Sequence, residues 1–174
     1  MELNSVKKKL SKKSKQYLST FSEYLDIPFY YFGSILRDDY VAGASDVDID
    51  IFTDNEDSTI AKILNYLNMP QCQVKKVIWI LRDKTTTYGY KIQQTLDDLN
   101  IFEYSIYNKR FKDKILSEHR GKIILPVYIS LCLKLLKTLY YTLHIISNKT
   151  YAETKRFMLS YGLGQSDEDK FLVF

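Results

Sequence analysis

The chain has 174 residues, 45% of them apolar, enough for one domain or a compact pair with a proper core. Its formal net charge is +4, but residues 1–20 hold six lysines against one glutamate, which excludes a uniformly basic protein and confines the basic character to the N-terminus. Two cysteines, Cys72 and Cys132, exclude a disulfide framework and lack metal-ligand spacing; with no apolar signal region at the N-terminus, a reducing, cytoplasmic setting is expected.

Hydrophobic periodicity marks the elements in chain order. Residues 3–25 read as a helix, with Leu3, Val6, Leu10, Tyr17, Leu18, Phe21 and Leu25 on one face. Lys7, Lys8, Lys9, Lys12, Lys13 and Lys15 cover the other face, either as a solvated surface or as a contact for RNA or DNA phosphates. Phe29 to Phe32 is an aromatic strand that turns at Gly33-Ser34, and Ser45 to Phe52 is a strand that alternates acid and aliphatic. A helix is expected over 58–68, ended by Pro70, followed by strands over 73–81, 85–95 and 100–107. Trp79, in the first of these, reads as core. Residues 108–118 suit a surface helix, and His119 stands after it without an evident partner, as a surface histidine. Residues 123–146 are the most apolar stretch. Lys134 and Lys137 interrupt it, so it reads as a core helix opened by Pro126 and not as a membrane span. Cys132 within it reads as a buried thiol, and 165–174 as an acidic tail with an apolar end.

The stretch from Phe29 to Phe52 carries the chemistry. Period-two alternation places Asp46, Asp48 and Asp50 on one strand face, with Val47, Ile49 and Ile51 turned to the core. Adjacent carboxylates repel and raise one another's pKa, and a hard divalent cation such as Mg²⁺ removes that penalty. Asp50 reads best as reaching solvent at the strand end, with an outer-shell place near a metal as the alternative. Gly33-Ser34 lets the backbone approach a phosphate, and a helix opening at Ser34 to Arg37 would add free N–H groups. A phosphate cradle joined to a metal-binding strand makes a phosphoryl- or nucleotidyl-transfer site.

Gly33-Ser34, eleven further residues, then Ser45-Asp46-Val47-Asp48 resembles the signature of the DNA polymerase beta-like nucleotidyltransferase superfamily, in its minimal and poly(A) polymerase-like forms. Arg37 stands where those proteins often carry an arginine after Gly-Ser; Asp38 replaces the glycine that commonly follows. The resemblance implies an α/β (α+β) fold, a mixed sheet flanked by helices, and places Asp46 and Asp48 on two Mg²⁺ ions, with Mn²⁺ as an alternative. It also implies a third carboxylate on a later strand, for which Glu103 is the candidate; an edge-strand residue facing water is the other reading. Leu135-Leu136-Lys137 is similar to a helix of the poly(A) polymerase branch in which a lysine reaches the nucleoside triphosphate, a role that falls to Lys137 with Lys134 behind it; the other reading is a pair of lysines snorkelling at a helix surface. Leu159-Ser160-Tyr161 faintly resembles a Ser-Tyr nucleotide contact of the same branch.

These readings converge on a nucleotidyltransferase core over residues 1–107 and a small helical part over 108–174. The expected reaction moves a nucleoside monophosphate from an NTP, ATP among them, to an acceptor hydroxyl. Asp46, Asp48 and Glu103 would hold metal, and Gly33, Ser34, Arg37 and Lys137 the nucleotide. The lysine-rich helix favours a nucleic-acid acceptor. A catalytically silent nucleotide- or nucleic-acid-binding module, and a protein- or small-molecule-modifying transferase, are the alternatives.

Overall fold

Ser11 starts the first helix. Its Oγ accepts a hydrogen bond from the Ser14 backbone N–H at 3.0 Å, so α1 runs from Lys12–Leu25 while Lys8 to Leu10 form a turn. The single helix expected over 3–25 is therefore broken at residues 8–11, because a serine cap outcompetes continued apolar periodicity; residues 3–5 and 7 of that expectation lie outside the described residues. Asp26, in the left-handed conformation at φ 54, closes α1 by returning its N–H to the last turn. The computed structural model describes residues 6, 8–43, 45–96, 100–163 and 171–173; Lys7 lies outside them.

Six strands form one mixed sheet in the order β1-β2-β5-β4-β3-β6. They are β1 (Phe29–Phe32), β2 (Val47–Thr53), β3 (Lys75–Ile80), β4 (Thr86–Leu96), β5 (Asn100–Asn108) and β6 (Phe171–Val173). Among the described strand pairs only β2 and β5 run parallel; the connection between β2 and β3 carries α2 (Glu56–Leu67), capped by Asn55. The last strand, β6, returns from the chain end to pair with β3.

Strand pairing sorts the side chains onto two unlike faces. Tyr31, Ile49, Ile51, Tyr104, Ile106 and Ile92 build the main core with Leu18, Phe21 and Leu25 of α1 and Ile60 and Ile63 of α2. Phe21 stacks on Tyr66 at 4.3 Å between ring centroids and meets Phe29 and Tyr104 edge-on. The opposite face carries Phe32, Asp48 and Asp50, and, by register, Glu103, Ser105 and Tyr107 beside them. Helix α3 (Lys112–Arg120) covers one half of this face, packing Ile115 against Phe52, Val77, Trp79 and Tyr107. The other half, with Asp48 and Glu103, is left open. Trp79 is core, as expected, at 5% exposure.

The apolar run over 123–146 divides. Helix α4 (Val127–Lys137) leads into one π turn at Thr138–Thr142, and α5 (Asn148–Leu163) packs back on it. The π turn sets both Tyr140 and Tyr141 against Tyr151, at 4.4 and 5.6 Å between centroids. The sequence reading placed no helix over α5; its start is marked by Ser147, whose Oγ accepts from the Thr150 N–H. Cys132 is exposed, not buried, since Ile129, Leu133 and Leu136 take the inward face of α4. No described helix is long and apolar enough to cross a membrane.

Candidate active site

The site forms where β1 ends. Phe32 is extended and Gly33 then turns to φ +70, a conformation open to glycine at little cost. A Cβ at Gly33 would collide with Oδ2 of Asp48, so the bare backbone is what lets this turn sit against the carboxylate. The helix opening expected at Ser34 is a single 3₁₀ turn, Gly33–Leu36, closed by Arg37 N–H donating to Ser34 C=O at 2.9 Å. It is too short to add a helix dipole of consequence.

Gly33, Ser34, Arg37, Asp46, Asp48 and Lys137 line one cavity of about 200 Å³. Residues 29–52 thus supply one wall, and α4 and α5 the other. The second wall includes Tyr141, Tyr151 and Lys155, which the sequence reading missed. Lys155 lies within electrostatic reach of both aspartates. Its spacing from Tyr151, one helical turn, is the only local signal it offers.

Glu103 stands beside Asp48 in the parallel register of β2 and β5. It is not a water-facing edge residue: β5 is central in the sheet, and Glu103 is held by Lys91 at 2.6 Å with both side chains 20% exposed. Burial, then Glu103, then Asp46 push the Asp48 carboxyl up to about 8. Asp46 is raised by burial first and by Glu103 next, with Lys155 and Lys137 opposing. As placed, no three His, Cys, Asp or Glu side chains among the described residues converge tightly enough to hold a metal ion. The donors are nonetheless hard oxygens, and the surroundings of Asp48 disfavour its charged form. A divalent cation is the species that would relieve it.

Two readings of the sequence change here. Asp50 does not reach solvent: it is fully buried, with Oδ2 2.8 Å from His119 Nε2. His119 is not a surface residue; it is 13% exposed and stacks on Phe32 at 4.0 Å. Alternation correctly put Asp50 on the face of Asp48, but α3 covers that part of the face. Burial raises the Asp50 carboxyl, with the neighbouring His119 opposing.

Arg37 and Lys137 reach the cavity, yet both are tied to Asp39. Arg37 donates to it from Nε at 2.7 Å and Nη2 at 3.2 Å. Lys137 Nζ spends all three hydrogens on Asp39 O at 2.7 Å, Asp39 Oδ2 at 3.1 Å and Ser45 Oγ at 2.9 Å. Burial works against Asp39, but two cations outweigh it and leave its carboxyl below the ordinary value. Lys137 shares that one anion with Arg37, so burial prevails and its pKa falls. This cluster clamps α4 to the loop between β1 and β2. Lys134 lines a separate cavity with Arg37 and Leu131, which neither Asp46 nor Asp48 lines.

The family described as nucleotidyltransferase domain matches residues 8–124. The chain belongs to that family. The match spans α1 to α3 and so contains Gly33, Ser34, Asp46, Asp48 and Glu103. The wall supplied by Lys137, Tyr141, Tyr151 and Lys155 lies beyond it. No curated protein sequence matches significantly. This nucleotidyltransferase domain therefore has the fold expected of its sequence, with a helical pair forming the second wall of the cavity.

Proposed function

We propose that the protein transfers a nucleoside monophosphate from a nucleoside triphosphate, ATP among them, to an acceptor hydroxyl and releases pyrophosphate. The observation that carries this is the single cavity shared by the Gly33-Ser34 turn and the paired Asp46 and Asp48. In this reading the acceptor oxygen bonds to the α-phosphorus as the bond to the pyrophosphate oxygen breaks. Asp46 and Asp48 would hold Mg²⁺ or Mn²⁺, with Glu103 completing the set; bound, the cations stabilise charge on the attacking and leaving oxygens. Gly33 and Ser34 present their backbone to the outer phosphates, and Lys155 contributes charge from α5. Lys137 and Arg37 act through Asp39, by fixing the cavity wall. Glu103 lies on the same sheet face as Asp48, where it can take the hydroxyl proton.

A nucleic-acid acceptor is supported by Lys8, Lys12 and Lys13, which are exposed along the N-terminal segment and α1. Lys15 is half-buried, and Lys9 is drawn inward, donating to Arg37 O at 2.6 Å, so neither extends that strip freely. The two exposed thiols suit a reducing cytoplasm.

The test is incubation with Mg²⁺ and labelled NTPs beside RNA, DNA and protein acceptors, in the native protein and in Asp46→Ala and Asp48→Asn. Label transfer lost in both variants is expected. Retained transfer in either overturns the reading, and Mg²⁺-dependent NTP binding without transfer identifies a silent module.

A further inference from the structure

A second cavity, of about 270 Å³, adjoins the first across Gly33 and Arg37 and contains Glu103. Its wall is a run of rings. Phe32 stacks on His119 at 4.0 Å, and Trp79 meets His119 at 5.2 Å. Its floor is Ser105 and the ring of Tyr107, which fits only because β4 has glycine opposite: a Cβ at Gly89 would lie 2.5 Å from that ring. Three cations line it: Arg37, tied to Asp39; Lys91, on Glu103; and Lys122, over Trp79 at 5.1 Å and 3.9 Å from Glu118. Asp50, fully buried beneath, lies against His119 and holds its ring in place. The triphosphate cavity has a different lining, with tyrosines and Lys155 in place of these rings.

Resting on the nucleotidyl-transfer reading, we propose that this cavity is the acceptor subsite and seats one nucleotide unit. The base packs on Phe32, His119 and the edge of Trp79, the phosphate faces Lys122, and the hydroxyl lies at Glu103. Rings fit the apolar faces of a base, and the lysines fit its phosphate. The volume suits one nucleoside and not a base pair. A free nucleotide and the end of a single strand share this chemistry, whereas a duplex end would have to open.

Trp79 is the sole tryptophan of the chain, so its fluorescence reports on this cavity and not on the triphosphate cavity. The experiment titrates adenosine 5′-monophosphate, penta-adenylate RNA, a blunt RNA duplex and a tyrosine-containing peptide into the Asp48→Asn protein without Mg²⁺. Because transfer is already removed, this measurement stands or falls apart from the transfer assay. A saturable change with the monophosphate, the single strand or both supports the proposal, and which one responds identifies the source. Phe32→Leu, which keeps apolar bulk but loses the ring, should weaken that binding about tenfold. Lys122→Ala should weaken the monophosphate more than adenosine. No response to either single-stranded probe, an equal response to the duplex, a response to the peptide alone, or unchanged affinity in folded Phe32→Leu overturns it.

Discussion

Asp39→Asn is the sharpest perturbation of the joint between the sheet and the C-terminal helices. The side chains of Asp39, Arg37 and Lys137 are 1%, 8% and 3% exposed, so two cations would remain buried after their shared anion is neutralised. The amide keeps the shape and isolates the charge. Breaking a buried pair in this way costs about 3–5 kcal/mol, which for a chain of this size is roughly 6–20 °C in Tm. The sign with pH follows from the lowered Asp39 pKa. The carboxylate contributes above its unfolded value, near 4, and that contribution fades as pH falls through the lower folded value. Urea and thermal unfolding by circular dichroism, from pH 3 to 7, should show the gap between native protein and variant constant above about pH 5 and shrinking below about pH 4. Lys137→Met in the Asp39→Asn background should cost less than in the native one, because the charge it removes is already unpaired. A loss under about 1 kcal/mol at pH 7, or a gap independent of pH, refutes the clamp.

Other outcomes follow from the same geometry. Gly33→Ala should lower Tm by several degrees and abolish label transfer, since the residue sits at φ +70 and its Cβ would meet Asp48; a stable, active variant would sink the cradle. In metal-free buffer Asp48→Asn should be neutral or stabilising by thermal denaturation, because it removes a carboxylate whose charge is disfavoured by burial and by Glu103; Mg²⁺ should then raise the Tm of the native protein alone. His119→Ala should destabilise more than Asp50→Asn, as it removes both the side chain against a fully buried carboxyl and the ring stacked on Phe32; urea midpoints decide the order. Both cysteines should react with a thiol reagent in the folded protein, whereas a buried Cys132 would react only on unfolding.

Period-two alternation over Val47 to Phe52, and the glycine at the end of the Phe29 strand, are local signals. They determined by themselves that Asp46 and Asp48 stand beside a tight turn, because side-chain direction in a strand and the freedom of glycine need no distant partner. The strand that carries Glu103 was legible as a hydrophobic run, whereas the mixed sheet and the place of Glu103 beside Asp48 were implied by the resemblance to the nucleotidyltransferase superfamily and not by periodicity. What the tertiary structure decided depends on contacts between distant residues. Asp50 obeys the alternation, yet only the placement of α3 over its half of the sheet turns a solvent carboxylate into a buried partner of His119. Lys137 sits 98 residues from Asp39, so nothing nearby in the chain says that its ammonium is spent on a clamp. Tyr141, Tyr151 and Lys155 join the site only because a π turn and Ser147 fold α5 back onto α4. Periodicity tells a residue which face it takes, but what covers that face is settled by packing between elements far apart in the chain.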